Sequence, residues 1–231
     1  MTRTTNARLA GFTFLAYIAT GIASMVLFGQ AAAGANAAAK LASIAQHATA
    51  VRLTAVLTLV TFFEAVVLGV TLFALTHEED FDLAVLGLCC RVGEGVLGAA
   101  SAVRIVVLLP VAAASATSAA PDAAAATALG ASLLSQGGSS TAIGATCFAV
   151  GSTLFSYLFL RARSIPVPLA WLGVLASVLL VVGLPVQLAG FLPASLAWPM
   201  WMPMLAFELT LAFWLLMKGV AAPARKRSDR D

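Results

Sequence analysis

The chain has 231 residues, 61% of them apolar and only 10% charged, where a soluble domain carries about a quarter charged residues. With a mean hydropathy of +0.99 it could not cover its surface with polar groups in water, so a soluble fold is excluded and the lipid bilayer becomes its solvent and first partner. The net charge of +3 does not make it a nucleic-acid binder, because four of the thirteen Lys and Arg sit in the tail Arg225-Lys226-Arg227-Ser228-Asp229-Arg230, a topology determinant near anionic lipid.

A helical span needs about 20 mostly apolar residues. Six stretches qualify, at about 9–29, 52–75, 83–109, 139–160, 169–189 and 200–218, followed by a basic tail at 219–231. They predict one integral membrane domain over 1–231, an all-α bundle of six transmembrane helices. The first span begins after Arg3 and Arg8, and its apolar run exceeds the roughly 7–15 residues of a signal core, so it is expected to be retained. Along it Thr13, Tyr17, Thr20 and Ser24 recur at helical spacing as one stripe. Asn36 to His47 then places Leu41 and Ile44 among alanines with Lys40 and Gln46 opposite, which reads as a short interfacial helix. The second span carries a drifting stripe of Thr54, Thr58, Thr61 and Glu64, and ends at the acidic turn His77-Glu78-Glu79-Asp80-Phe81-Asp82.

In the third span Gly87, Arg91, Glu94, Gly98 and Ser101 share a face, small residues for close helix approach beside an Arg–Glu neighbour pair. Pro121-Asp122 opens a second Ala-rich stretch with Leu129, Leu133 and Leu134, and Gly137-Gly138 closes it. Proline at the start and glycine past the end predict a second short interfacial helix. Gly144, Gly151, Ser152 and Ser156 supply small packing residues to the fourth span. Pro185 interrupts the fifth near its end with Gln187 close by, and Glu208 lies midway along the sixth. Arg3, Arg8, Arg161, Arg163, Lys218, Arg225, Lys226, Arg227 and Arg230 fall on one side of this topology, and only Lys40 and Arg52 on the other. Nine against two places both termini in the cytoplasm and the two interfacial helices outside, in the inner (plasma) membrane of a cell.

Burying a charge at the bilayer centre costs about 2.5–3.5 kcal/mol on insertion scales. Glu64, Arg91, Glu94 and Glu208 fall at similar depth, so they form a candidate midplane cluster, with Arg104, Tyr17, Thr20, Thr61 and Gln187 as peripheral members. Arg104 lies on another face and closer to the outer surface. Three carboxylates against two guanidiniums leave one carboxylate without a cation. Glu208 is the one expected to keep its proton, since its span offers no basic residue before Lys218. Two readings stay open. The cluster binds or transports a proton, cation or small ligand, or it is a network of ion pairs that only sets the fold of a structural or regulatory protein. A second copy of the chain or another membrane protein is the candidate partner.

No enzyme chemistry stands out. HExxH, GxSxG and GxxxxGK[ST] motifs are absent, His47 and His77 lie on opposite sides, and Cys89, Cys90 and Cys147 form no CxxC. Neither a metal nor another cofactor is expected.

Four local signatures occur in order: Asn6-Ala7-Arg8-Leu9-Ala10-Gly11-Phe12, then Arg91-Val92-Gly93-Glu94. They are followed by Arg163-Ser164-Ile165-Pro166-Val167-Pro168-Leu169-Ala170-Trp171-Leu172-Gly173, then Pro203 and Glu208 ahead of Trp214-Leu215-Leu216-Met217-Lys218-Gly219. Together they resemble a family of bacterial membrane proteins known as domain of unknown function 4386, over about residues 7–220. The turn at Val167-Pro168 departs from the aromatic or basic residues usual there. The resemblance implies the six-span bundle and no particular activity.

Overall fold

The computed structural model describes residues 1–117, 119–192 and 196–221. Ser118, residues 193–195 and the basic run Arg225 to Arg230 lie outside the described residues. The architecture is all-helical, with α1 (Arg3–Ala31), α2 (Ala37–Gln46), α3 (Ala48–Thr76), α4 (Phe81–Thr117), α5 (Ala120–Ala162), α6 (Val167–Leu188) and α7 (Ala197–Met217). All but α2 are long and apolar enough to cross a membrane, which makes the chain a multi-pass membrane protein.

Capping chemistry explains several boundaries. Asn36 stands in extended conformation before α2, and its side-chain oxygen accepts from the Ala39 N–H at 2.8 Å. Pro166 and Pro168 start α6, where a missing N–H costs nothing. At the other ends, α6 and α7 each hand over to a left-handed glycine, Gly190 (φ 80°) and Gly219 (φ 71°). The end of α5 does the same with Arg163 (φ 49°): Arg163 N–H reaches Leu160 C=O at 3.2 Å and Ser164 N–H reaches Phe159 C=O at 3.2 Å. A side chain in this region costs about 1 kcal/mol that glycine avoids. Arg163→Gly should therefore melt at the wild-type temperature or slightly above it in detergent, and a clear fall would show that the guanidinium itself holds the turn.

The sequence expectation differs from the fold at one place. Gly137-Gly138 does not close a separate short helix; the stretch from Pro121 runs unbroken into the fourth span as the 43-residue α5. Each glycine costs about 1 kcal/mol relative to alanine in a helix, too little to break one whose flanks are alanine-rich. α4 likewise runs through Pro110 to Thr117.

The contacts divide the chain into two compact units. The first comprises Met1–Leu15, Val66–Gly93 and Ala145–Asp231. Its core holds Phe14, Leu68, Leu75, Phe159, Leu180, Phe207 and Leu215, all nearly or fully buried. Glycines set its helix contacts. A Cβ on Gly11 of α1 would lie 2.6 Å from the Ala212 carbonyl oxygen of α7, and one on Gly173 of α6 would lie 2.5 Å from the Phe207 ring. At the helix ends Arg161 pairs with Glu79 at 2.8 Å and Asp80 at 3.0 Å, and Arg3 with Glu78 at 3.3 Å. These pairs are open to solvent, which screens them, so they add little to stability.

The second unit comprises Ala16–Ala65 and Glu94–Gly144. Leu41 and Ile44 of α2, three residues apart, are fully buried against Val51, Ile105, Leu108 and Ala112. Gly130 of α5 leaves room for them, since a Cβ there would come within 2.5 Å of Leu41. α2 is thus a packed element of this unit.

Candidate functional site

The four residues of the expected midplane layer fall two to a unit. Glu64 and Glu94 belong to the second, Arg91 and Glu208 to the first.

In the second unit the hydroxyl stripe of α1 meets the polar faces of α3 and α4. Tyr17 donates to Glu94, which is 8% exposed. Thr20 donates to Glu64 Oε1 at 3.2 Å. Ser24 and Thr58 are 3.4 Å apart; Thr58 spends its proton on the Thr54 carbonyl, so Ser24 is the donor. Helical spacing alone aligned these residues, and the fold pairs them. Thr13 and Thr61 instead turn their hydroxyl protons to the carbonyls of Leu9 and Leu57 on their own helices. Glu64 Oε2 is buried and has no hydrogen-bond partner among the described residues.

Around these groups the packing changes character. No side chain is fully buried from Ala16 to Gln30 on α1, from Val56 to Glu64 on α3, or from Val96 to Arg104 on α4; the same holds on α5 for the described side chains between 131 and 143. Turns of about 3.6 residues without a fully buried side chain face either lipid or an unfilled space within the unit. Small residues recur at this level, among them Thr20-Gly21, Ser24 and Gly98-Ala99. A Cβ added at Gly21 or Gly98 would meet nothing within 4 Å. Full burial resumes at the packed core around Leu41 and Ile105 on one side, and at Ala65, Glu94, Gly95 and Gly144 on the other, all of them in this unit. Arg104 is half-buried, and its Nη1 donates to the Leu133 carbonyl at 3.2 Å beside Gly137, whose missing Cβ admits the guanidinium.

In the first unit Arg91 is 1% exposed, and its guanidinium carbon lies 5.1 Å from the centre of the Phe148 ring. Phe148 stacks in turn on Trp201, with ring centroids 6.0 Å apart. Gly69 and Gly151 make room for the arginine, since a Cβ on either would fall 3.0 Å or 3.5 Å from its stem. Glu208 is 6% exposed on α7, and Gln187 is half-buried near the end of α6. Sequence reasoning did not find Phe148, Gly69 or Trp201, because an apolar residue in an apolar span carries no signal of its own. Among the described residues no three His, Cys, Asp or Glu side chains come together as metal ligands.

Comparison with known proteins gives one match. The family model described as Domain of unknown function (DUF4386) covers residues 9–219. No curated protein and no solved structure matches the chain.

Proposed function

The chain belongs to the DUF4386 family, and from that premise we propose that it is a plasma-membrane protein that binds, and passes on, a small cation or proton in the hollow of the second unit. The observation that carries this reading is a level of four helices without a fully buried side chain, at and beside which two carboxylates and five hydroxyls lie, and we read that level as the hollow. A chain selected only for stability would fill such a space, because each unfilled methyl-sized gap costs about 1 kcal/mol. In this reading both termini lie in the cytoplasm and the connection around Ala35 outside, because nine Lys and Arg of the sequence fall on one side against two on the other. A second copy of the chain is the proposed partner, since six spans are few for a transporter built of repeated halves.

Cysteine accessibility tests the reading. In a variant freed of Cys89, Cys90 and Cys147, the thiol reagent must meet an ionised thiolate, which forms in water and not in lipid. A membrane-impermeant thiosulfonate applied to intact cells should modify Ala35→Cys and Thr61→Cys, and should spare Leu59→Cys, which lies on an outward apolar face of α3 (47% exposed). Protection of Thr61→Cys to the same degree as Leu59→Cys would make the level dry and end the proposal.

A second reading belongs to the first unit. Arg91, enclosed by Phe148, Gly69 and Gly151, has the setting of a residue that fixes helix register, so that this unit serves as scaffold.

A further inference from the structure

Resting on the hollow proposed above, we propose that Glu64 and Thr20 form a binding site for a small monovalent cation of the sodium class. The argument begins with proton bookkeeping. Thr20 has one hydroxyl proton and gives it to Glu64 Oε1 at 3.2 Å. What it turns outward is therefore lone pairs. Thr61, three residues before Glu64 and on the same face of α3, gives its proton to the Leu57 carbonyl and is left in the same condition. Glu64 Oε2 is buried and accepts from no described residue. Thr20 and Thr61 offer lone pairs only, and a ligand that meets Glu64 in its ionised form must bring the positive charge.

The ligand set selects the class of cation. All these atoms are hard oxygens, with neither nitrogen nor sulfur among them, which suits alkali and alkaline-earth ions and disfavours transition metals. One carboxylate with hydroxyl oxygens balances a single charge. A divalent site generally needs further carboxylates, and no group of three acidic, His or Cys side chains exists among the described residues. No described basic side chain forms an ion pair with Glu64. Arg104 lies ten residues beyond Glu94 on α4, about 15 Å along the axis, with its guanidinium directed to the Leu133 carbonyl.

The purified full-length protein should melt about 2–4 °C higher in sodium chloride than in choline chloride at equal ionic strength and fixed pH, the shift expected when a ligand at several times its Kd binds only the folded state. Glu64→Gln should abolish the sodium shift and Thr20→Val should reduce it. Should Glu64→Gln not fold, equilibrium dialysis of radiolabelled sodium against wild type and Thr20→Val gives the same answer. Equal melting of wild type in sodium and choline, an undiminished sodium shift in Glu64→Gln, or a shift produced by magnesium and not by sodium would each overturn the site. Thiosulfonate access to Thr61→Cys without any sodium effect would remove this inference and leave the hollow standing. A protected Thr61→Cys would remove both.

Discussion

Arg91→Ala is expected to lower stability by about 3–5 kcal/mol, the range for removing one member of a buried charged set. The cost has two physical parts. Arg91 is the largest fully buried side chain in the described residues, so its truncation empties a long volume bounded by Phe148, Gly69 and Gly151. Backbone glycines on two neighbouring helices offer no side chain that could relax into that volume, so the cavity term applies almost in full. The second part is the attraction between the guanidinium and the Phe148 ring, worth up to about 2 kcal/mol when desolvated. Arg161→Ala supplies the control. It breaks two ion pairs, yet that arginine is 40% exposed and screened by water, so the loss should be far smaller than for Arg91→Ala. Thermal melts of both variants in one detergent make the comparison. Equal small shifts would mean that the Arg91 charge already reaches water.

The second large effect is expected at Gly11. A Cβ there would sit 2.6 Å from the carbonyl oxygen of Ala212 and 3.0 Å from the amide nitrogen of Leu216, both backbone atoms of α7. A flexible side chain could swing aside, but a helix backbone has to move bodily. Gly11→Leu should therefore drive α1 off α7 and cost more than the 1–3 kcal/mol or so usual for an overpacked core. The expected result is poor recovery of folded protein in gel filtration, whereas Gly21→Leu, directed into open space, serves as the tolerated control. Normal recovery of Gly11→Leu would show that α1 rests on α7 more loosely than the 2.6 Å approach implies.

Much of this architecture was legible before any coordinates. Lipid forces every spanning segment to satisfy its own backbone, so apolar length alone located α1, α3, α4, α6 and α7. Spacing on α1 and α3 also put Thr20 and Ser24 on one stripe and Thr58 and Glu64 on another, and which residue of one stripe meets which of the other came only with the fold. Other features were out of reach. Gly137-Gly138 resembled a helix stop, but a stop needs a left-handed exit as well as a glycine, and only Arg163, Gly190 and Gly219 provide one. The assignment of Arg91 and Glu208 to one unit, and of Glu64 and Glu94 to the other, depends on side-chain volumes across many contacts, which no single stripe encodes. The level without fully buried side chains was equally hidden, because it is shared by four helices and each taken alone shows only the small residues common in any membrane span.

The unequal lengths of the spans bear on the kind of bilayer that can hold them. At about 1.5 Å per residue, the 22-residue α6 and 21-residue α7 rise roughly 33 and 31 Å, close to the hydrocarbon thickness of an ordinary membrane. The 37-residue α4 and 43-residue α5 rise roughly 55 and 65 Å and overhang it in any lipid. A thickening bilayer is thus felt first by the short pair, α6 and α7, while the long pair has length to spare in a thicker membrane and answers a thinner one by tilting.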